Sequence, residues 1–339
     1  MNKIKILIRS TIVIVLLLGL AMVTYGAEPT FIIRFQHMGP AADTPIHHIP
    51  WVKYLEKATG GRVKIMLHSS CELVPDENLL PALKAGTIDA CIYASIMNPS
   101  LTDLALIETS LVCGLANQQE QETFYKQRGY EDLVREDYEE YGVHYVGPIF
   151  YDPSIMLITR KPVKSLSDLK GLKISSYKSM IKPLIDYGAV QDNISTDELY
   201  FAGKTGVIDG LVWGGVPCYS YNSWNEVFPY LLDESLGNWT CNFLFNEDTW
   251  NSLPEDIQAI FELTVNWMTT HSNLLYYSDE SRLRSNFISS KLSIEEHQKI
   301  VQSAEKYWDE LATKNERMAK AIQMYKDYNK ELNETGWNR

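Results

Sequence analysis

Between Asp168 and Gly215 the chain carries one repeated grammar. An apolar run from Gly171 to Ser176 leads into helical patterning, a second helix start falls at Ser195, and another apolar run from Val207 to Val212 ends on Trp213-Gly214-Gly215. Strand, helix, helix, strand in that order is the pattern of an α/β fold. Ligands of open α/β sheets collect beyond the carboxyl ends of the strands. Ser175, Ser176, Trp213 and Gly214 occupy such ends, which makes them the first candidates for contact with a small molecule.

The rest of the chain repeats the theme. Phe31 to His37 alternates and is rich in β-formers, and after Asp43-Thr44-Pro45 a helix presents Trp51, Val52, Leu55 and Ala58. Thr59-Gly60-Gly61 stops that helix, Val63 to Leu67 reads as a second strand, and Asp76 opens a helix that ends at Gly86 before a strand over 87–94. Gly86-Thr87-Ile88-Asp89 and Gly206-Val207-Ile208-Asp209, 120 residues apart, share a glycine helix stop followed by a strand with Ile and Asp. That echo supports two similar α/β lobes. Runs at 143–149 and 155–159, split by Asp152-Pro153, are suited to carry the chain between them. Ser195-x-x-Glu198, Ser252-x-x-Glu255 and Ser293-x-x-Glu296 are capping boxes, and the second introduces a periodic pattern that runs past His271.

The amino terminus restricts where such a protein works. Lys3, Lys5 and Arg9 precede an almost wholly apolar run from Ile12 to Val23, then Thr24-Tyr25-Gly26-Ala27. A basic start, a short apolar run and small residues at the cut describe an export signal cleaved near Gly26. The run is short of the ~20 apolar residues a spanning helix needs. The ~310 residues that remain exceed what one core serves, so two lobes are expected. Losing three basic residues takes the formal charge from −12 to −15, which argues against nucleic-acid or anionic-membrane partners. Five cysteines at 71, 91, 113, 218 and 241 show no C-x-x-C spacing and predict no disulfide framework.

Motifs for catalysis are missing. Ala202-Gly203-Lys204-Thr205 resembles the end of a phosphate-binding loop, but Glu198 stands where the loop needs glycine. There is no H-E-x-x-H, G-x-S-x-G or G-x-G-x-x-G. His47 and His48 are adjacent, so they do not share a helix face and do not suggest a metal site. His37 ends the first strand and suits either ligand contact or the core. Trp213, between a strand and two glycines, suits the wall of a pocket. The expectation is a binding protein without catalysis, cofactor or metal.

Six segments in order resemble the solute-binding subunits of tripartite ATP-independent periplasmic (TRAP) transporters, dicarboxylate-binding type: Arg34-Phe35-x-His37, Thr59-Gly60-Gly61-Arg62-Val63, Ala85-Gly86-Thr87-Ile88-Asp89, Leu169-Lys170-Gly171-Leu172-Lys173-Ile174, Gly206-Val207-Ile208-Asp209-Gly210 and Trp250-x-x-Leu253-Pro254. The resemblance implies a two-lobed periplasmic binding protein fold of α/β class, with a cleft between lobes, crossing strands and a long bracing helix. It implies a monomer that hands a small solute to the TRAP membrane permease subunits. The lobes are expected at 27–152 plus 239–280 and at 153–238 plus 281–339, after the signal 1–26. Family members usually place a carboxylate-pairing Arg where this chain has Ser175, and a metal-binding Glu where it has Val212. The departure leaves two openings. Lys178, Arg160 or His37 substitutes as cation for an organic acid, or the solute is aromatic or amine-bearing. Glu72 sits in a loop where the resemblance implies ligand contact, although it also fits a solvated charge. An ABC-type binding protein or a secreted α/β enzyme are the alternatives.

Overall fold

The computed structural model describes residues 31–152 and 154–335; the expected export signal and its cleavage point lie outside them. In chain order the strands are β1 (Phe31–His37), β2 (Val63–His68), β3 (Ala90–Tyr93), β4 (Val143–Phe150), β5 (Leu157–Thr159), β6 (Lys173–Ser175), β7 (Val190–Asp192), β8 (Gly210–Val212), β9 (Tyr230–Leu232), β10 (Thr240–Asn246) and β11 (Ile288–Ser290). They form two mixed sheets, ordered β2-β1-β3-β10-β4 and β11-β9-β5-β8-β6-β7. In each sheet one strand runs against its neighbours: β10 against β3 and β4, and β5 against β8 and β9. These are the strands that follow the two extended crossings between the sheets, β4 to β5 and β9 to β10.

The echo near Asp89 and Asp209 is structural. Gly86 and Gly206 both adopt left-handed backbone, φ +69° and +80°, which ends their helices at no steric cost. The following aspartates then do one job twice. The Asp89 carboxylate accepts the Arg34 N–H at 2.7 Å, and Asp209 accepts the Lys173 N–H at 3.1 Å. Each aspartate's own N–H returns to the carbonyl of the same residue, at 3.0 Å and 2.8 Å. Each thereby fixes the register of a parallel pair, β3 on β1 and β8 on β6.

β10 is buried at all seven positions, as expected of a central strand covered on both faces, whereas β2 at the edge alternates, with Val63 and Ile65 inward. The segments between sheets run side by side. Tyr151 N–H donates to the Trp239 carbonyl (3.1 Å), Trp239 N–H to that of Asp152 (3.1 Å), and Ile155 and Leu236 bond to this ribbon at 2.8 Å. A third connection is the helix Glu255–Leu283, 29 residues or about 44 Å at 1.5 Å per residue. It packs along β4 and reaches the helix Val216–Tyr221 of the second sheet.

One local expectation is corrected. Ser252 ends the helix Glu247–Ser252 and donates to the Thr249 carbonyl, so Pro254, not Ser252, precedes the long helix. β7, a three-residue edge strand on β6, lies between the two helix signals and is too short to show a period. The last described helix, Glu316–Thr335, packs on the helix Ile294–Ala312; its Tyr325 lies on Phe124 at 4.2 Å, and Arg317 pairs with Asp103, Asp137 and Glu140. All five cysteines are unbridged.

Candidate functional site

A cavity opens where the crossing ribbon meets the two sheets. Met38, Gly39, Pro40 and Asp43 come from the loop after β1, Tyr151 and Asp152 from the first crossing, and Trp239 and Cys241 from the second. Trp213 arrives from the end of β8, Cys218 from the helix after it, and Tyr276 from the long helix. The space open to the centres of water-sized spheres is ≈ 30 Å³. One water needs roughly 10–15 Å³ on that measure, so the space admits a molecule of only a few heavy atoms.

The sequence places two of its candidates here. Trp213 stacks on Trp239 with centroids 5.8 Å apart, and Tyr177 lies 5.5 Å away on its other side. The backbone of Trp213 is held by Tyr219, whose hydroxyl accepts the N–H of Trp213 (3.0 Å) and Gly214 (3.1 Å) and donates to the Met156 carbonyl (2.6 Å). Gly214 and Gly215 make room for a carboxyl. A Cβ on Gly214 would sit 2.6 Å from Asp152 Oδ2, and one on Gly215 would sit 3.1 Å from Oδ1. The two glycines after β8 therefore serve the approach of Asp152, not a turn.

The other sequence candidates stand outside the lining. His37 is fully buried, its Nε2 2.8 Å from the Thr44 hydroxyl and its ring stacked on His48 at 3.8 Å. The Ser175 hydroxyl accepts the Ile194 N–H at 3.3 Å, and Ser176 is buried with no partner for its hydroxyl among the described residues. Lys178 is exposed at the start of its helix. Glu72 is exposed and pairs with His68 at 2.7 Å. Arg160 leans over Gly206.

Sequence reasoning passed over Asp43 and Asp152. Asp152 is 5 % exposed, and its Oδ1 completes no hydrogen bond among the described residues. Burial pushes its carboxyl well above the usual range, offset only by the nearby Gly215 N–H, with Asp43 and Glu280 adding like charge. Asp43 is half-buried, and desolvation raises its carboxyl to about 7. The neighbouring imidazoles cannot compensate. Burial lowers His37 to about 4 and His47 to about 3, and His48 falls well below its ordinary value. His47 is stacked on Tyr276 at 5.1 Å and bonded to Ser272 at 2.9 Å, which fixes the irregular turn Thr44–His48 that presents Asp43. The one available signal for Asp152 was a carboxylate in the middle of the apolar stretch 143–159.

Two mixed α/β sheets joined by a crossing ribbon, with a small cavity at the joint, define a two-lobed binding protein. Residues 38–315 match the family described as bacterial extracellular solute-binding protein, family 7, and the chain belongs to that family. Similar proteins include a monocarboxylate 2-oxoacid-binding periplasmic protein of Nostoc sp., 26% identical over 308 residues, covering 85% of this chain and 80% of that one. Among solved structures, a TRAP periplasmic solute-binding protein of Chromohalobacter salexigens with bound (S)-(+)-2-amino-1-propanol superposes with TM-score 0.86. It is 27% identical and covers 91% of this chain and 98% of its own. A TRAP solute-binding protein of Bordetella bronchiseptica, solved with calcium and picolinate, gives TM-score 0.79 at 23% identity, covering 91% and 94%. The chain is a periplasmic solute-binding protein that serves a TRAP membrane permease, a transport component.

Proposed function

We propose that the solute is captured in the cavity at the crossing ribbon, with Trp213, Trp239, Tyr151 and Tyr276 as walls and Asp43 and Asp152 as its polar contacts. The observation that carries this reading is the origin of the lining: it draws on both sheets, both crossing segments and the long helix. A solute touching all of them is held only when the lobes are closed, so its binding energy shifts the population toward the closed form. That form is the one presented to the permease. We place the two lobes on either side of the ribbon at 151–156 and 236–239, with the helix Glu316–Thr335 moving with the first. Export depends on the segment 1–26.

Hydrogen exchange read by mass spectrometry tests the site. The mature protein, unfolded and refolded to strip carried solute, is compared with and without each member of a panel of small organic acids and amines. Protection by a binder is expected in peptides spanning 151–156, 213–219 and 236–241. Protection confined to other surfaces refutes the placement. Relatives carry ligands of opposite character, an amino alcohol in one and a calcium-accompanied carboxylate in another, so family membership leaves the ligand's charge to the cavity.

A further inference from the structure

We infer that the cavity selects a small organic cation: a solute whose ammonium group lies between the Asp43 and Asp152 carboxylates, with its carbon skeleton against Trp213, Trp239, Tyr151 and Tyr276. The inference rests on reading this cavity as the solute site, and it concerns what chemistry fits there.

The charge balance is the main argument. Two carboxyls line a space of ≈ 30 Å³, and among the described residues that line it there is no Lys, Arg or His. Asp152 is nearly fully buried and lines the space, and its Oδ1, with only the Gly215 N–H near the carboxyl, completes no hydrogen bond among the described residues. A buried, unpaired acceptor is costly, and native structures keep one only for a reason such as an absent ligand. The surroundings make matters worse for an anion, because the charged group of the long helix felt at Asp152 is Glu280, itself paired with Arg284. A carboxylate solute would meet two carboxyls and no cation. An ammonium group would supply the donors and the positive charge together.

The walls agree with the floor. Trp213 and Trp239 lie with planes 30° apart, and Tyr151 and Tyr276 complete an aromatic lining. Aromatic faces carry negative potential and attract an organic cation, more so when water is excluded. The ring faces repel an anion, and the donors at the ring edges, the Tyr151 and Tyr276 hydroxyls and the Trp213 N–H, carry no positive charge. The glycine pair adds an independent sign of construction, since a Cβ on Gly214 or Gly215 would crowd the Asp152 carboxyl at the end of β8. A metal bridging an acid to the two aspartates fits less well. Calcium requires six to eight oxygen ligands, roughly, and among the described residues no three His, Cys, Asp or Glu side chains converge on one point.

The test is calorimetric titration of the stripped mature protein with (S)-2-amino-1-propanol, with 1,2-propanediol (hydroxyl in place of ammonium), and with pyruvate in the presence and absence of calcium. The amine is expected to bind, and the diol to bind roughly a hundredfold more weakly, as for loss of one member of a buried charge pair. Asp152→Asn should weaken the amine by a similar factor. The empty Asp152→Asn protein should unfold at the same or a higher temperature than the parent, because an unpaired carboxyl has been removed. A purely structural Asp152 would lower that midpoint. Failure of the amine to bind, equal affinity for the diol, tighter binding of pyruvate, or unchanged amine affinity in Asp152→Asn overturns the inference. If pyruvate binds and protects 151–156 and 236–241 from exchange, the cation is wrong and the site stands. If the bound probe protects neither segment, the site is wrong as well.

Discussion

If an ammonium group is what the two aspartates await, its binding must be coupled to protons, and the sign is fixed by the empty cavity. Burial raises the Asp43 carboxyl to about 7, and the groups facing it from neighbouring elements are Asp152, Tyr151, Tyr276, Cys218 and Cys241. None is basic, and His37 and His47 behind them are neutral near pH 7. A bound ammonium stabilises the ionised carboxylate and expels its proton. With a pKa of about 7, Asp43 is ionised to about one part in ten at pH 6, one half at pH 7 and nine parts in ten at pH 8. Apparent affinity scales with the competent fraction, so (S)-2-amino-1-propanol should bind about tenfold more tightly at pH 8 than at pH 6. Asp152, shifted in the same direction, can only steepen this. Titration at pH 7 in buffers of different ionisation heat should count roughly half a proton released from Asp43. Asp43→Asn should remove its share of the slope. A flat profile, or affinity that falls as pH rises, would refute the reasoning, because the latter is what an anionic solute beside two protonated carboxyls would show.

Gly214→Ala puts a Cβ 2.6 Å from Asp152 Oδ2 and 3.0 Å from the Cys218 Cβ; displacing the carboxyl should weaken amine binding about tenfold or more, read by the same titration. Tyr219→Phe leaves the N–H groups of Trp213 and Gly214 and the Met156 carbonyl without their shared hydroxyl, so urea unfolding should show a loss of about 2–4 kcal/mol. Glu108, buried beneath Tyr138 and Asn242, is raised to about 8 by burial. Its folded value exceeds its ordinary one, so the native state holds the extra proton and this group's contribution falls as pH rises from about 4.5 to about 8. Glu108→Gln should therefore gain stability relative to the parent between pH 6 and 8, in thermal melts at each pH; a difference that does not change with pH would count against a protonated Glu108.

Much of the scaffold was legible because it is locally encoded. β1 shows its alternation, Gly86 and Gly206 show the left-handed stop each helix needs, and the apolar runs on either side of Asp152 show where the chain crosses. The helix after Pro254 declares its period over enough turns to be recognised. Short elements such as β7, β9 and β11 declare nothing, since three residues hold no period and their partners come from distant parts of the chain.

The sequence by itself determined a two-lobed α/β protein with crossing segments, and it placed Trp213 and Gly214 just after β8, beside the candidate cavity. Only the tertiary structure decided what faces them. Asp43 reads as a helix start and Asp152 as a break before proline, each with an ordinary local role. What distinguishes them is that the fold buries Asp152, partly desolvates Asp43 and brings both to one cavity whose described lining holds no cation. Desolvation and charge pairing depend on distances between segments far apart in the chain, and hydrophobic periodicity carries no record of those distances. The same holds for Glu72 and Lys178, whose charges looked available in the sequence and which the fold leaves at the surface.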